Sequence, residues 1–594
     1  MLLADYVFQF LADRGTSDVF MISGGGAMFL NDGLGKEKRI RKICNHHEQG
    51  AAIAAEGYAR VSGKTAVVSV TTGPGGTNTL TGVIGQWLDS IPALFISGQV
   101  KFPTTIASQP ELPLRQLGDQ EINIVDIVRS VTKYAVMVTD PQMIRYELEK
   151  ALSIAESGRK GPVWLDIPIN VQSTDIVPET LPGYDPEPEN PGLAAETVSQ
   201  IYELLQNSKA PVIVAGHGIR LAGAVEKFRE LAEILQIPVL GTFGGFDLLP
   251  DDSPLAAGRI GTIGNRAGNI VLQNADCVLC IGTRNNIRQV SYNYENFAKN
   301  AEHLICVDID AAELKKHTVT PTLPVHADAG EFIAKLLGLA VKDHRHEAWL
   351  NWSMQWKKRY PAVLDEYCQS DIPGIQPYVF TGMLTRMLPE NAVVACTNAT
   401  PSICLFQAGI VKNGQRMFAN SGCASMGYGL PAALGAATAA DGRMVVCLEG
   451  DGSIMMNLQE LQTIRHNNFP VKLFLYNNNE YTSIRQTQDN FFKGRHTGCD
   501  NASGVDYPDW QILSKAFNWR YYCIDSIAAA EKLLPEILAC TEPVFCEVRL
   551  TAGYIFSPKL SSKVMPDGKI VSPSLEDMYP FLSESEMREI KYGK

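Results

Sequence analysis

Residues 444–480 read MVVCLEGDGSIMMNLQELQTIRHNNFPVKLFLYNNNE. Two short, nearly continuous apolar runs, opening at Met444 and Val471, flank a stretch of helical spacing from Asn457 to Arg465. This pattern predicts two parallel strands, buried on both faces and joined by a crossover helix. Gly450-Asp451-Gly452-Ser453 closes the first strand and Asn477-Asn478 the second. A β-α-β unit of this length sets the strand ends side by side, so Asp451 and Asn478 bring a carboxylate and an amide oxygen to the C-terminal edge of the sheet. Hard oxygen ligands of this kind suit Mg²⁺, which completes its shell with phosphate oxygens and water. The glycines admit backbone N–H groups to a phosphate, and the helix N-terminus that follows favours negative charge. Gly-Asp-Gly alone reads as a turn and Asn-Asn as a strand end. Together, at this spacing, they favour a metal and diphosphate site.

The same rhythm extends outward. Apolar runs open at Thr65, Ala93 and Pro162 in the first third, at Pro211, Ile237, Asp276 and His303 in the middle, and at Pro543 near the end. Alternating with helical stretches, they predict an α/β chain of three doubly wound parallel-sheet domains. A length of 594 residues is several times that of one domain. Pro178, Pro182, Pro186, Pro188 and Pro191 are too dense for a helix or central strand and mark the best boundary. A weaker boundary runs through the charged stretch Lys342 to Glu347. The expected layout is a first domain 1–172, a linker 173–193, a middle domain 194–340, a linker 341–372, a third domain 373–555 and a tail 556–594. The tail carries Pro558, Pro566, Pro573 and Pro580 and must lie over another surface or be disordered.

Composition excludes several classes. With 45% hydrophobic and 20% charged residues the chain can fill several cores and is neither disordered nor a coiled coil. A net charge of −12 repels polyanions, so nucleic acid is not an expected partner. No apolar run is long enough for a membrane span. The N-terminus has Leu3, Tyr6, Val7, Phe10 and Leu11 at helical spacing, with Asp5 and Asp13 where a targeting peptide wants positive charge. Scattered cysteines, odd in number, fit a reducing compartment, and a cytoplasmic location is expected. Cys277 and Cys280 have C-x-x-C spacing without a second pair, which reads as buried strand rather than zinc.

Gly-Asp-Gly followed after a helix by Asn-Asn resembles the diphosphate motif of thiamin-diphosphate (ThDP) enzymes. The resemblance runs along nearly the whole chain in the pattern of the acetolactate synthase group. Asn45-HHEQGAAIAAEGYAR-Val61, Thr72-GPGGTN-Thr79, Asp89-SIPALFISGQ-Val100 and Ala424-SMGYGLPAALG-Ala436 are similar to that group's segments, in order. It implies a pyrimidine-binding first domain, a middle domain of FAD-binding type and a diphosphate-binding third domain. It assigns Asp451, the Asn478 side chain and the Glu480 carbonyl to the metal, with Gly450, Gly452 and Ser453 around the diphosphate. Glu48 is implied as the acid beside the aminopyrimidine ring, because the weakly acidic thiazolium C2–H needs the cofactor's own amine as base. Met426 is implied beneath the bent cofactor and Ala424 as the carbonyl facing its amine, while Pro74, Asn78 and Gln120 line the same pocket. Glu56, by contrast, reads as an exposed i, i+4 partner of Arg60. The group's sites form across a subunit interface, so a homodimer or homotetramer is implied.

In the middle domain, Gly216-His217-Gly218 after a strand is either a dinucleotide signal or a plain turn. Gly282-TRNNIR-Gln289 resembles the group's flavin segment and keeps Arg284 and Arg288, next to Thr283. Val307-DID-Ala311 and Val325-HAD-Ala329 resemble the stretches that hold the adenine and ribose end of FAD, here through Asp308, Ile309 and Asp328. FAD in a non-redox role is therefore implied, and Arg288 is also implied to reach a substrate carboxylate.

Three segments depart from the group. Phe-Gln-Glu becomes Asp119-Gln120-Glu121, Asp-Val-Gly-Gln-His-Gln becomes Thr397-NATP-Ser402, and Arg-Gln-Trp-Gln becomes Arg485-Gln486-Thr487-Gln488. Loss of the indole opens volume for an acceptor larger than a second pyruvate. Ser483-IRQTQDNFFKGR-His496 and the tail look like acetolactate-synthase-like proteins associated with surface polysaccharides. The expected activity is a carboligase that decarboxylates pyruvate, or a close 2-oxo acid, and passes two carbons to a carbonyl acceptor such as a nucleotide-linked keto-sugar. Lys559, Lys563 and Lys569 are candidates for its diphosphate, or else a solvated face. Alternatives are acetolactate formation itself, a diketone lyase or hydrolase, and a binding protein that has lost the chemistry.

Overall fold

A computed structural model describes residues 1–186, 192–369, 372–564 and 569–593. Pro188, Pro191 and Pro566 lie outside the described residues.

Three six-stranded parallel sheets carry the chain. The first is built from β1 (Asp18–Met21), β2 (Arg41–Cys44), β3 (Ala66–Val70), β4 (Ala93–Gln99), β5 (Tyr134–Met137) and β6 (Pro162–Pro168) in the order β2-β1-β3-β4-β6-β5. The second holds β7 (Pro211–Ala215), β8 (Val239–Gly241), β9 (Ala256–Arg259), β10 (Cys277–Ile281), β11 (His303–Asp308) and β12 (Leu323–His326), ordered β12-β11-β10-β7-β8-β9. The third holds β13 (Val393–Cys396), β14 (Arg416–Ala419), β15 (Val445–Gly450), β16 (Lys472–Asn477), β17 (Arg520–Ile524) and β18 (Val544–Arg549), ordered β14-β13-β15-β16-β18-β17. The expected three-domain α/β architecture holds. The first and third sheets share one topology, and the middle sheet, read from β9, has the order found in dinucleotide-binding folds.

Apolar runs locate the central strands and miss the edges. All six edge strands, β2, β5, β9, β12, β14 and β17, escape them, as do the four-residue β1 and β13. Some edge strands bury little: in β2 only Ile43 is buried, and in β12 only Val325.

The first and third domains dock through the helices Glu48–Ser62 and Gly429–Thr438. Their facing residues are small, including Ala51, Ala54, Ala55, Ala432, Ala433 and Ala436. Backbones touch at two glycines: a Cβ on Gly57 would lie 2.1 Å from the Ala432 carbonyl oxygen, and one on Gly435 only 1.7 Å from that of Ala54. The middle domain is tied to the third by Asp247, which is buried between Arg220 (3.0 Å) and Arg416 (2.7 Å).

One segment differs from expectation, and the tail takes one of its two expected courses. Residues 341–372, expected as linker, contain the helix Glu347–Arg359, whose Trp349 and Trp356 are buried in the middle domain's outer core. The tail crosses back over the same face. Leu560 N donates to Thr262 O (2.7 Å), Arg266 Nη2 to Pro580 O (2.7 Å) and Asn274 Nδ2 to Ile590 O (3.0 Å), and Leu575 and Ile590 enter that core. Among the described residues no helix is long and apolar enough to cross a membrane.

Candidate active site and nucleotide cleft

In an open parallel sheet, ligands bind beyond the strand ends where the strand order reverses. In the third sheet that point lies between β13 and β15, and β15 ends at Gly450. Asp451 begins the next helical turn and is buried; its Oδ1 accepts from Gly452 N (2.7 Å) and its Oδ2 from Asn478 N (3.0 Å) and Asn479 N (2.7 Å). Burial pushes its carboxyl up to about 6, against those hydrogen bonds. The Asn478 amide oxygen faces only acceptors, Asp451 Oδ2 and the Glu480 carbonyl oxygen, each 3.2 Å away, while its nitrogen meets Thr482 Oγ1. Three oxygens so gathered either turn the amide over or hold a cation between them. The donor set fits a hard divalent ion.

Segments around this cluster are pinned by Ser453 and by residues that the sequence left without a role. Ser453 Oγ accepts from Gly427 N (2.8 Å) and pairs with Thr397 Oγ1 (2.6 Å). Asn398 Nδ2 donates to the Ala424 carbonyl (2.9 Å), and Ala424 sits at φ 52°, a left-handed conformation that a non-glycine holds only under tertiary constraint. Met426, two residues on, is half-buried. The Tyr554 hydroxyl reaches Thr400 Oγ1 (2.7 Å), Thr482 Oγ1 (3.2 Å) and Asn478 Nδ2 (3.4 Å).

The first sheet repeats the geometry. Its β3 leads into Gly73, at φ 65°, and the short helix Pro74–Thr77. Glu48 opens the helix Glu48–Ser62, capped by the His47 ring, and its Oε2 accepts from Asn78 Nδ2 (3.0 Å). The Gln120 carbonyl packs on Gly73, so Glu48, Pro74, Asn78 and Gln120 form one group, although the Gln120 side chain is exposed. Buried Glu121 organises that loop, accepting from Leu117 N (2.9 Å) and Gly118 N (3.1 Å). Among the described residues, no hydrogen bond or ion pair joins the Glu48–Asn78 pair to the Asp451–Asn478 cluster of the same chain.

The middle sheet reverses between β7 and β10, and their ends, Gly216-His217-Gly218 and Gly282-Thr283, cross backbone to backbone: a Cβ on Gly216 would lie 2.1 Å from Gly282 O. There opens a cleft with about 1110 Å³ of empty space, its solvent mouth included. Of the residues expected there, Gly218, Thr283, Arg284, Arg288, Asp308, Ile309 and Asp328 line it, while Gly216 supports its floor. Arg288 stacks on Phe243 (4.9 Å), and burial lowers its pKa with no carboxylate beside it among the described residues. Among the described residues neither ring nitrogen of His217 has a partner, and burial keeps that ring neutral. Burial raises Asp308 to about 6. Asp328 also caps the helix Ala329–Leu339 through Gly330 N (2.8 Å). An unpaired guanidinium, close backbone turns and orphan ring nitrogens fit an anionic dinucleotide.

Glu56 requires correction. It is fully buried, not exposed: Oε1 accepts from Arg60 Nε (2.8 Å) and Tyr428 Oη (2.9 Å), and Oε2 from Asn420 Nδ2 (3.2 Å). Helical spacing found the Arg60 partner, but the third domain's helix that covers the pair is remote in sequence. The lysine cluster also divides, because Lys563 pairs with Asp577 (3.3 Å) whereas, among the described residues, Lys559 has only the Gln486 amide oxygen (3.3 Å). Cys277 and Cys280 are buried in β10, as expected.

Comparison with known proteins agrees with this geometry. Profiles of thiamine pyrophosphate enzymes match in three parts: the N-terminal TPP binding domain at residues 1–123, the central domain at 198–336 and the C-terminal TPP binding domain at 402–548. The chain is 31% identical to the acetolactate synthase isozyme 1 large subunit of Escherichia coli, over 92% of this chain and 94% of that one. It is 31% identical to the acetolactate synthase large subunit of Lactococcus lactis, over 95% of each, and 34% identical to acetolactate synthase 1, chloroplastic, of Zea mays, over 87% and 80%. The chain belongs to the thiamine pyrophosphate enzymes and is a ThDP-dependent enzyme of the acetolactate synthase type.

Proposed function

We propose that the protein is a homodimeric or homotetrameric carboligase that uses ThDP, Mg²⁺ and a non-redox FAD to move a two-carbon unit from pyruvate, or a close 2-oxo acid, to a carbonyl acceptor larger than pyruvate. The observation that carries the proposal is the pair of half-sites at equivalent switch points, Glu48–Asn78 and Asp451–Asn478–Glu480, with no bond between them within one chain. Two chains would bring one of each together. Bound ThDP supplies the nucleophilic carbon and the electron sink for decarboxylation. The chain does the rest. Asn78 holds Glu48 Oε2, leaving Oε1 to exchange a proton with the pyrimidine ring. Asp451, Asn478 and the Glu480 carbonyl would hold Mg²⁺, and Asn398 fixes the Ala424 carbonyl, which would face the cofactor amine. Met426 would support the cofactor from below. Arg284, Arg288, Asp308, Ile309 and Asp328 line the cleft and would hold FAD, and Arg288 would also meet a substrate carboxylate.

The large acceptor is supported by the helix Thr482–Phe492, where Thr487 replaces the group's indole and is exposed. Ile484 (48%) and Phe491 (65%) are exposed on the same helix. A nucleotide-linked keto-sugar matches that apolar, open surface together with Lys559. Mass spectrometry of products from labelled pyruvate with keto acids, aldehydes and nucleotide keto-sugars tests this. A ligated keto-sugar is expected; acetolactate alone returns the chain to acetolactate synthase proper, and CO₂ without any ligation product refutes carboligation. FAD is tested by reconstitution, which should give a yellow protein.

A further inference from the structure

Asp89 ends the helix Leu80–Asp89, and its side chain is 7% exposed. Its Oδ2 accepts from Arg60 Nη2 (2.6 Å) and Ser421 N (3.2 Å), and its Oδ1 from Gly422 N (3.0 Å). Arg284 Nη2 stands 3.6 Å from Oδ1, close enough for an ion pair but too far for a hydrogen bond. One carboxylate thus gathers groups from all three domains: Arg60 from the first, Arg284 from the middle, and the Ser421–Gly422 backbone from the third. Little slack remains. A Cβ on Gly422 would fall 2.5 Å from Asp89 Oδ1 and 3.3 Å from Arg284 Nη2.

The hub belongs to two sites at once. Arg60, Asp89, Arg284 and Ser421 line the nucleotide cleft. Two residues past Gly422 the chain reaches Ala424, held at φ 52° with its carbonyl on Asn398, and then Met426. Asn420, on the other side, is fixed by buried Glu56, which shares Arg60 with Asp89. The loop 420–426 is therefore anchored at its start, residues 420–422, by two carboxylates that Arg60 bridges. Arg284 is the member of the hub that pairs with Asp89 by charge alone, without a hydrogen bond.

We infer that Asp89 is a positioning residue that couples FAD in the middle cleft to the loop carrying Ala424 and Met426, and through it to ThDP affinity. The inference rests on the FAD reading above. A ligand that engages Arg284 changes the charge around Asp89, and Asp89 sets two backbone N–H groups of the loop. Such coupling is reciprocal, so FAD tightens ThDP by the factor by which ThDP tightens FAD.

Isothermal titration of full-length protein with ThDP and Mg²⁺, with and without saturating FAD, measures the factor directly. An increase of at least about fivefold is expected in the wild type, and a factor near one in Asp89→Asn. A purely structural Asp89 would lower stability and leave the factor intact. Hydrogen exchange on the wild type gives a second readout that needs no variant: FAD alone should increase protection of the backbone N–H groups of Ser421 and Gly422. FAD uptake with unchanged ThDP affinity, or unchanged exchange at 421–422, overturns the coupling while leaving the flavin reading intact. Failure to take up FAD at all overturns both.

Discussion

Gly435→Ala separates the docking of the first and third domains from ordinary helix energetics. In an isolated helix this change stabilises by about 1 kcal/mol, since alanine loses less conformational freedom than glycine. Here the new methyl would lie 1.7 Å from Ala54 O and 2.8 Å from Tyr58 N. Both atoms are backbone, so no rotamer relieves the clash. The helices Glu48–Ser62 and Gly429–Thr438 must part by more than about 1 Å to restore ordinary contact. Overpacking of this severity costs about 3 kcal/mol, and the propensity gain offsets part of it, leaving a net loss of roughly 2 kcal/mol. Glu48 opens one of these helices and Met426 precedes the other, so the displacement also misplaces the cofactor's two supports. A misplacement near 1 Å reduces turnover on the order of 100-fold. Gly338→Ala is the control: Gly338 lies in the helix Ala329–Leu339 with nothing within 4 Å of its would-be Cβ, and the substitution should stabilise by up to about 1 kcal/mol. Scanning calorimetry and ThDP titration on both variants decide the matter. If Gly435→Ala melts as high as Gly338→Ala and binds ThDP normally, the close helix contact is wrong.

Glu48→Gln should cut carboligation on the order of 100-fold or more while FAD uptake is unchanged; undiminished CO₂ release would remove Glu48 from that role, whereas a wild type that releases no CO₂ from pyruvate would return the chain to the binding-protein alternative. Asp166 is fully buried on Ser97 (2.6 Å) and Gln99 (3.1 Å), and burial raises its carboxyl from 3.8 to about 7. The folded state keeps a proton that the unfolded chain has released, so this residue's contribution to stability is full below about pH 4 and declines to about pH 7, by roughly 4 kcal/mol in all. Asp166→Asn abolishes that slope: its denaturation midpoint relative to wild type should rise between pH 5 and pH 8, and a pH-independent difference would be contrary evidence. Removing residues 575–593 uncovers the middle domain's outer core, where Leu575 and Ile590 are buried, and limited proteolysis should then cut the helix Glu347–Arg359 first; equal resistance in both forms counts against the tail as a structural strap.

The legible parts of the fold and site were those written contiguously. Gly450–Ser453 and Asn477–Asn478 sit at strand ends, so sequence distance and spatial distance agree for them. The same holds for Thr283, Arg284, Asp308 and Asp328, which all project from the ends of β10 to β12. Edge strands were invisible because five of the six are only four residues long, too short for an apolar run to stand out, and some, such as Arg41–Cys44, also bury a single side chain. Glu56 was misjudged because what buries it, Tyr428 and Asn420, lies in another domain. Buried Glu460 escaped for the same reason: it accepts from Asn45 Nδ2 (2.9 Å) and His46 N (3.1 Å), far away in the chain. Tyr554 and Asn398 act on site residues without belonging to any motif.

The strap formed by the tail sets an order of events during synthesis. Domains usually fold as they leave the ribosome, the earlier ones first. Here the second sheet emerges with an apolar flank around Ile270, Val290 and Trp349 that awaits residues 575–590, made only after the whole third sheet. Until then the nascent polypeptide shows chaperones an unfinished surface, and a product stopped short by premature termination would carry that mark for degradation, even with every cofactor ligand already in place.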